Sequence, residues 1–165
     1  MKLNKKGFTL IELLAVIVIL GVIMLIAIPS VSSIIAKSRE NTFRSTAQTL
    51  ISGARNMVLA SADGRPSGDG WTQVAKTTTV NGHSLDNMDY IIKIEEIPVE
   101  SGSNTKSPFG VDYNQEYSFV IAIADDEGNY DYYIQMVDAN KNHLLLTPED
   151  ELDITSINGE GAYST

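Results

Sequence analysis

The pattern of hydrophobic positions divides the chain into an apolar N-terminal segment, an amphipathic segment and a mixed C-terminal part. No polar side chain occurs between Leu13 and Ile28. An apolar run of about 20 residues is the length that an α-helix needs to cross a bilayer. One carboxylate, Glu12, stands at the start of this run. Because an ionisable group in such a segment is costly without a partner, Glu12 is a candidate functional residue.

After Pro29 the apolar residues recur at steps of three and four, with charged and polar residues between them. The apolar positions are Ile34, Ile35, Phe43, Ala47, Leu50, Ile51, Ala54, Met57 and Val58. This spacing predicts an amphipathic helix with one buried face. Pro29 removes one intrahelical donor and is expected to kink the helix without ending it. Asp63-Gly64 is expected to end it, with Gly64 in the left-handed conformation. The sequence therefore predicts a helix over residues 8–62, apolar all round over 8–28 and amphipathic over 29–62.

The remainder, residues 63–165, is predicted to form a small β-rich head. Asn81-Gly82 after Thr77–Val80 indicates a hairpin. Strands are predicted at Tyr90–Ile94, Tyr117–Ala124, Tyr130–Val137 and His143–Leu146. The other predicted features are an exposed loop over Ser101–Pro108 and a short helical turn that starts at Pro148 with Thr147 as its cap. The expected fold class is α+β, with the long N-terminal helix packed on a small antiparallel sheet.

Composition limits the chemistry that this chain can perform. Its 165 residues include no cysteine, which excludes a disulfide framework, a thiolate metal site and a cysteine nucleophile. The formal net charge is −9. Direct, sequence-independent binding to nucleic acid needs clustered Lys and Arg, so we expect none.

The polar residues of the head suggest few specific sites. Asp125, Asp126, Glu127 and Asp131 could ligate calcium, but their spacing does not match the twelve-residue calcium loop, and a solvated hairpin turn is the simpler interpretation. His83 and His143 are isolated and are predicted to be surface or turn residues. No catalytic constellation, cofactor motif or metal site is visible. The sequence predicts a structural protein and not an enzyme.

The segment Gly7-Phe8-Thr9-Leu10-Ile11-Glu12, followed by the apolar run, resembles the processing and assembly motif of type IV pilins and pseudopilins. The resemblance implies that prepilin peptidase cuts after Gly7, so that residues 1–7 are a leader, and methylates the new N-terminus at Phe8. It implies that Glu12 meets the terminal amine of Phe8 on a neighbouring subunit. Gly21 and Pro29 occupy positions where pilin helices carry a helix-weakening glycine and a kinking proline.

The same resemblance implies a function. The chain would be a single-pass membrane precursor and then part of an extracellular pilus that serves adhesion, motility or biofilm formation. Its partners would be other copies of itself, prepilin peptidase, the pilus assembly platform and the cytoplasmic membrane, and no cofactor is implied. The alternative is a pseudopilin or competence pilin of a secretion-like or DNA-uptake system. Many Gram-negative pilins close a C-terminal loop with a disulfide, and this chain, which has no cysteine, departs from that pattern. Its composition, rich in Asn, Lys and Ile, suggests instead a Gram-positive, clostridial-type member.

Three other interpretations of the apolar segment are less consistent with its residues. A secretory signal with a cleavage site at Ser30-Val31-Ser32 has no use for Glu12, and its apolar region is normally shorter. A plain one-pass anchor explains neither Gly7-Phe8 nor Glu12. A buried core helix is normally shorter and is flanked by amphipathic pattern on both sides.

Overall fold

The computed structural model describes residues 7–61, 63–68, 70–74, 78–80, 83–99 and 104–152. In these ranges the chain forms one long helix, α1 (Leu10–Ala60), followed by β-strands. The strands are β1 (Trp71–Gln73), β2 (Thr78–Val80), β3 (His83–Leu85), β4 (Tyr90–Lys93), β5 (Phe119–Ala124), β6 (Tyr130–Val137) and β7 (His143–Pro148). Short 3₁₀ turns follow β4 at Ile94–Glu96 and β7 at Glu149–Glu151. The architecture is the predicted α+β arrangement.

Helix α1 is continuous through Pro29, as the spacing of apolar residues predicts. Gly64 has the predicted left-handed conformation, with φ of 68°. It lies in the turn after the helix, where its N–H donates to the Ser61 carbonyl. The kink at Pro29 stays a prediction.

Three serines follow the apolar run of α1, and each hydroxyl donates back to a carbonyl of the helix. The acceptors are Ile26 for Ser30 (3.5 Å), Ile28 for Ser32 (3.1 Å) and Ser30 for Ser33 (2.9 Å). Such bonds satisfy a hydroxyl without an outside partner.

The chain forms two compact units, which divide inside α1 between Ser38 and Arg39. In the first unit every described side chain is exposed, including those of Ile34 and Ile35, which the spacing assigned to the buried face. In the second unit α1 buries a regular stripe, as predicted, consisting of Phe43, Ala47, Leu50, Ile51, Ala54 and Val58. The buried face therefore begins at Phe43.

The second unit contains a five-stranded antiparallel sheet in the order β1-β4-β5-β6-β7. Strand β6 has the predicted bounds, whereas β5 begins two residues later than predicted. Strand β7 runs on to Pro148 because Thr147 and Pro148 still pair with Ile134 and Tyr133. The predicted cap at Thr147 is therefore wrong: its hydroxyl donates to the Leu145 carbonyl, and the following turn has no side-chain cap.

The buried stripe of α1 packs in one hydrophobic cluster with residues of β4, β5, β6 and β7, among them Ile92, Val120, Ile134 and Leu144. A second cluster contains Val74, Leu85, Ile121 and Leu146. Leu85 belongs to the β2–β3 hairpin, whose strands pair antiparallel as predicted. The Asn81-Gly82 turn itself lies outside the described residues.

Gly53 is a point of close approach between α1 and the segment after β4. A Cβ at this position would stand 2.7 Å from Cγ2 of Ile97, which is only 1% exposed. Gly53→Ala is therefore expected to lower the free energy of unfolding by about 1 kcal/mol, because overpacking outweighs the gain in helix propensity. Urea unfolding of the full chain in detergent measures this. In an Ile97→Ala background the same substitution should be neutral or stabilising, and an equal loss there would contradict the packing argument.

Two hairpin turns of the sheet share one hydrogen-bond arrangement. In the β5–β6 turn, Asp125 Oδ1 accepts the N–H groups of Glu127 and Asn129, and its Oδ2 accepts the Asn129 side chain. In the β6–β7 turn, Asp138 binds the N–H groups of Asn140 and Asn142 and the Asn142 side chain in the same way. The fourth residue of each turn, Gly128 or Lys141, has positive φ. A five-residue Asp-x-x-x-Asn turn is thus used twice.

The β5–β6 turn contains Asp125, Asp126 and Glu127, three of the four acidic residues that could ligate calcium. Both oxygens of Asp125 are bonded to its own turn, and hydrogen bonds from Asn129 lower the pKa of this carboxyl. Among the described residues no group of three or more His, Asp or Glu side chains is arranged to hold a metal ion. The loop therefore has the arrangement of a hydrogen-bonded hairpin turn.

Two residues predicted to be exposed are buried. His143 is 2% exposed in β7, and its Nδ1 lies 2.8 Å from the Lys141 carbonyl. Ser107, within the predicted exposed loop, is 5% exposed because its hydroxyl donates to Asp138. His83 lies in β3, opposite Val80.

Candidate assembly site

The two described residues at the predicted cleavage junction, Gly7 and Phe8, are exposed. Gly7 and Phe8 precede the first helical residue, Leu10, and Phe8 is 92% exposed. A Cβ built on Gly7 would meet no atom within 4 Å. The junction between Gly7 and Phe8 therefore lies outside the helix and is exposed.

A capping box closes the N-terminus of α1. The Glu12 carboxylate accepts hydrogen bonds from the Thr9 N–H (2.8 Å) and the Thr9 hydroxyl (2.7 Å). The Thr9 hydroxyl in turn accepts the Glu12 N–H (3.3 Å). This reciprocal arrangement satisfies backbone donors that the first turn of a helix otherwise leaves unpaired, and the carboxylate also favours the positive end of the helix dipole.

The capping box uses only one of the two carboxylate oxygens of Glu12. Both bonds from Thr9 reach Oε2, and Oε1 makes no hydrogen bond within the described ranges. Phe8 and Glu12 also line a common groove of about 510 Å³ with Leu13, Ala15 and Val16. The structure thus places an available carboxylate oxygen beside an apolar surface at the very start of the helix.

The helix that carries Glu12 is apolar and unpartnered over its first turns. Among the described residues, one helix, α1, is long and apolar enough to cross a membrane. The mean hydropathy of its most apolar stretch is 3.1. From Leu10 to Ile28 its large apolar side chains are about half exposed or more, from 48% at Leu20 to 83% at Leu10. Length and composition alone do not distinguish a membrane span from a signal sequence. An unbroken apolar surface of this kind nevertheless marks contact with lipid or protein.

Gly21 and Pro29 lie within the same helix, away from the capping box. Gly21 has open space around its Cα, so no close approach within the unit requires a glycine there. Their proposed roles in bending the helix stay predictions.

Comparison with known proteins bears directly on this segment. The family model for the prokaryotic N-terminal methylation motif matches residues 2–28. This chain carries the prepilin methylation motif. The resemblance to type IV pilins that Gly7–Glu12 indicates is therefore confirmed, whereas the Gram-positive assignment stays a prediction.

Curated relatives extend the similarity beyond the motif. One type IV major fimbrial protein FimA from Dichelobacter nodosus is 32% identical over 87 residues, which cover 53% of this chain and 56% of the relative. Another FimA from the same organism is 39% identical over 75 residues, which cover 44% and 46%. The chain thus spans about half the length of the curated relatives it matches. No solved structure shows a significant match.

Thr9 is the residue of this site that the sequence analysis did not single out. The signal was present, because Thr9-Leu10-Ile11-Glu12 has the spacing of a capping box directly before an apolar run. Glu12 was interpreted only as a partner for another subunit. The structure shows that it also has a partner within its own chain.

Proposed function

We propose that this chain is the precursor of a type IV pilus subunit and polymerises through α1 into a surface filament. The observation that carries the proposal is an available carboxylate oxygen of Glu12 at the start of an exposed apolar helix. The methylation motif over residues 2–28 and the similarity to fimbrial proteins support it. Subunits that form filaments are structural, so no catalytic site is proposed.

Before assembly the precursor crosses the cytoplasmic membrane once, with the leader inside and the head outside. Prepilin peptidase cuts between Gly7 and Phe8, methylates the new amine of Phe8 and removes the leader lysines Lys2, Lys5 and Lys6. The capping box survives this cut because Thr9 and Glu12 both lie in the mature chain. Oε2 of Glu12 remains held by Thr9, while Oε1 is free to accept a second donor.

The incoming donor is the Phe8 amine of a neighbouring subunit. Glu12 lies four residues from Phe8, about 6 Å along a helix axis, so a charge pair between subunits fixes their axial offset. In an environment of low dielectric such a pair forms only where the geometry is good, because both charges lose hydration. The pair therefore selects one register among many that apolar packing alone would allow.

The apolar helices then pack against one another, and contacts between copies replace contacts with lipid. Each subunit uses one surface to meet a different surface of the next, and repetition of such a contact generates a helical filament. The pilus assembly platform in the membrane supplies subunits in order. The heads form the outer layer of the filament, where they serve adhesion, motility or biofilm formation.

Cleavage after Gly7 is the first test. The surface form is expected to begin at Phe8 and to carry one N-terminal methyl group, and intact mass with N-terminal sequencing measures both. Gly7→Leu is expected to leave the uncut precursor in the membrane, since the accessible junction would carry a bulky side chain. Gly21→Ala is the matched control and should be cut normally, because its Cβ also meets open space. A mature chain that begins at Ser33, or an uncut Met1 at the surface, would contradict the proposal.

Electron microscopy separates the proposed filament from a short secretion or DNA-uptake piston. An antibody to the head is expected to decorate long sheared fibres along their length. Its absence from such fibres would favour the pseudopilin alternative.

A further inference from the structure

A cleft opens in the second unit where three loops meet at one end of the sheet. They are the loop after α1, the turn before β4 and the β5–β6 turn. The volume is about 560 Å³, within the range of about 300–1,000 Å³ that is common for small-molecule sites. We call it the tyrosine cleft and define it by Asp63, Arg65, Met88, Tyr90, Asp126 and Tyr130.

The walls of the tyrosine cleft are held together by hydrogen bonds, of which those to Asp89 are partly buried. The carboxylate of Asp89, 4% exposed, accepts the N–H of Asp86 (2.9 Å) and the N–H of Ala124 (3.0 Å), and so ties the turn before β4 to the end of β5. The Gln73 side chain at the end of β1 donates to the Asn87 carbonyl. Because these walls are already fixed, a ligand would lose little affinity to ordering them.

Two aromatic rings and a thioether supply the apolar part of the cleft. Tyr90 and Tyr130 pack edge to face with ring centroids 6.1 Å apart, and both are half-buried. Met88 is 52% exposed beside them. A half-buried tyrosine offers an apolar ring together with a hydroxyl that can bond to a ligand.

Two charged groups of the cleft, the Arg65 guanidinium and the Asp126 carboxylate, are not used by the fold, whereas Asp63 accepts the Arg65 backbone N–H (3.3 Å). In the part of the chain that the structure describes, neither the Arg65 guanidinium nor the Asp126 carboxylate makes a hydrogen bond or an ion pair. Burial raises the pKa of Tyr130, while Arg65 lowers it and Asp63 raises it, so both charges act at the Tyr130 hydroxyl. The guanidinium and the carboxylates are planar groups that can bind two neighbouring hydroxyls at once.

This combination excludes several ligand classes. Two carboxylates, Asp63 and Asp126, against one guanidinium, Arg65, disfavour phosphates and nucleic acid. A metal ion would compete with the turn for Asp125, whose oxygens are both bonded. A purely apolar ligand would leave the charges without hydration. A ligand with an apolar face and a ring of hydroxyls can pack on the aromatic rings and also form hydrogen bonds with the charged groups.

We propose that the tyrosine cleft binds a neutral saccharide, whose apolar ring face packs on Tyr90 and Tyr130 while its hydroxyls bond to Arg65 and Asp126. The site lies in the second unit and does not depend on filament assembly. Failure of one proposal therefore leaves the other standing.

Saturation-transfer NMR on the full chain tests this proposal with chitobiose, lactose and maltose at millimolar concentration. The detergent must lack a sugar headgroup, since a maltoside would itself compete, and a polyoxyethylene detergent meets this need. At least one of the three sugars is expected to bind saturably. Arg65→Gln and Asp126→Asn should each weaken binding at least about tenfold, because each removes a charged hydrogen-bond partner.

Two matched controls keep the test specific. Glu127→Gln changes the same charge one residue from Asp126 but outside the cleft lining, and Arg39→Gln removes an exposed arginine elsewhere. Both should bind normally. Saturation transfer to none of the three sugars would overturn the proposal, as would equal weakening by the controls. Thermal midpoints of Arg65→Gln and Asp126→Asn should match the unmodified chain, and a large drop in either would place these residues in the fold and overturn their role as free ligand groups.

Discussion

Replacement of Glu12 by alanine is expected to leave membrane insertion and cleavage after Gly7 intact and to abolish filament assembly or reduce it sharply. Removing a charge from the apolar segment makes insertion easier, and the cut lies on the far side of Phe8. Assembly should fail because the incoming amine of Phe8 loses its hydration without gaining a partner. Leaving one charge of such a pair unmatched is enough to lower an association constant more than about a hundredfold.

The capping box gives this experiment its control. Glu12→Ala removes the contact between subunits and the bonds to Thr9 together, whereas Thr9→Ala removes only the bonds to its hydroxyl. Thr9→Ala should therefore reduce the yield of fibres only modestly, and Glu12→Gln, which accepts a hydrogen bond without charge, should lie between the two alanine variants. The measurement is the ratio of sheared-fibre to membrane-pool protein at equal expression. Normal fibre yield from Glu12→Ala would show that apolar packing alone sets the register.

Asp138→Ala is expected to be among the most damaging substitutions in the head and to lower the free energy of unfolding by about 3 kcal/mol or more. Its carboxylate is 1% exposed, and besides its own turn it accepts the Ser107 hydroxyl at 2.8 Å. Removing it leaves the buried Ser107 hydroxyl without its acceptor, and it also leaves the N–H groups of Asn140 and Asn142, whose bonds to Asp138 are partly buried, without theirs. Urea unfolding of the full chain in detergent measures the loss.

Asp125→Ala is the matched control, because Asp125 has the same bonds within an equivalent turn that water can reach. Its loss of stability should be clearly smaller than that of Asp138→Ala. Equal losses would show that the turn, and not burial, determines the effect. A second readout is Tyr113, whose pKa is raised by burial and further by the Asp138 charge. That pKa should fall in Asp138→Ala, as ultraviolet titration of the tyrosines would show.

The elements that could be predicted from the sequence are those with strong local signals. The steps of three and four from Phe43 to Val58 predicted the buried stripe of α1, and the alternation in Tyr130–Val137 predicted β6 with its bounds. The motif at Gly7–Glu12 was equally visible, because a glycine, an apolar run and one carboxylate are contiguous in the chain, and the family model matches this segment; the roles of its individual residues stay predictions. In each case the information lies within a few turns or one strand.

What could not be predicted depends on contacts between distant residues. His143 has no local feature that marks it as buried, and its burial follows from the pairing of β7 with β6. The close approach at Gly53 could not be predicted, because Ile97 comes from a segment more than forty residues later. Ser107 lies in a segment that was predicted to be an exposed loop. It is buried because its hydroxyl donates to Asp138, which is distant in the sequence.

The serines after the apolar run have a consequence for how deeply a membrane-inserted precursor lies. A hydroxyl in hydrocarbon normally draws water or headgroups toward it, but Ser30, Ser32 and Ser33 already donate to their own helix. We therefore expect these residues to add little penalty at any depth, so that in the proposed assembly the helix is able to move along its axis as it leaves lipid for a polymer. The first side chain beyond them that resists such movement is Lys37, whose ammonium must stay near the headgroups. In the proposed precursor we therefore expect residues 30–33 to tolerate axial movement of the helix and Lys37 to limit it.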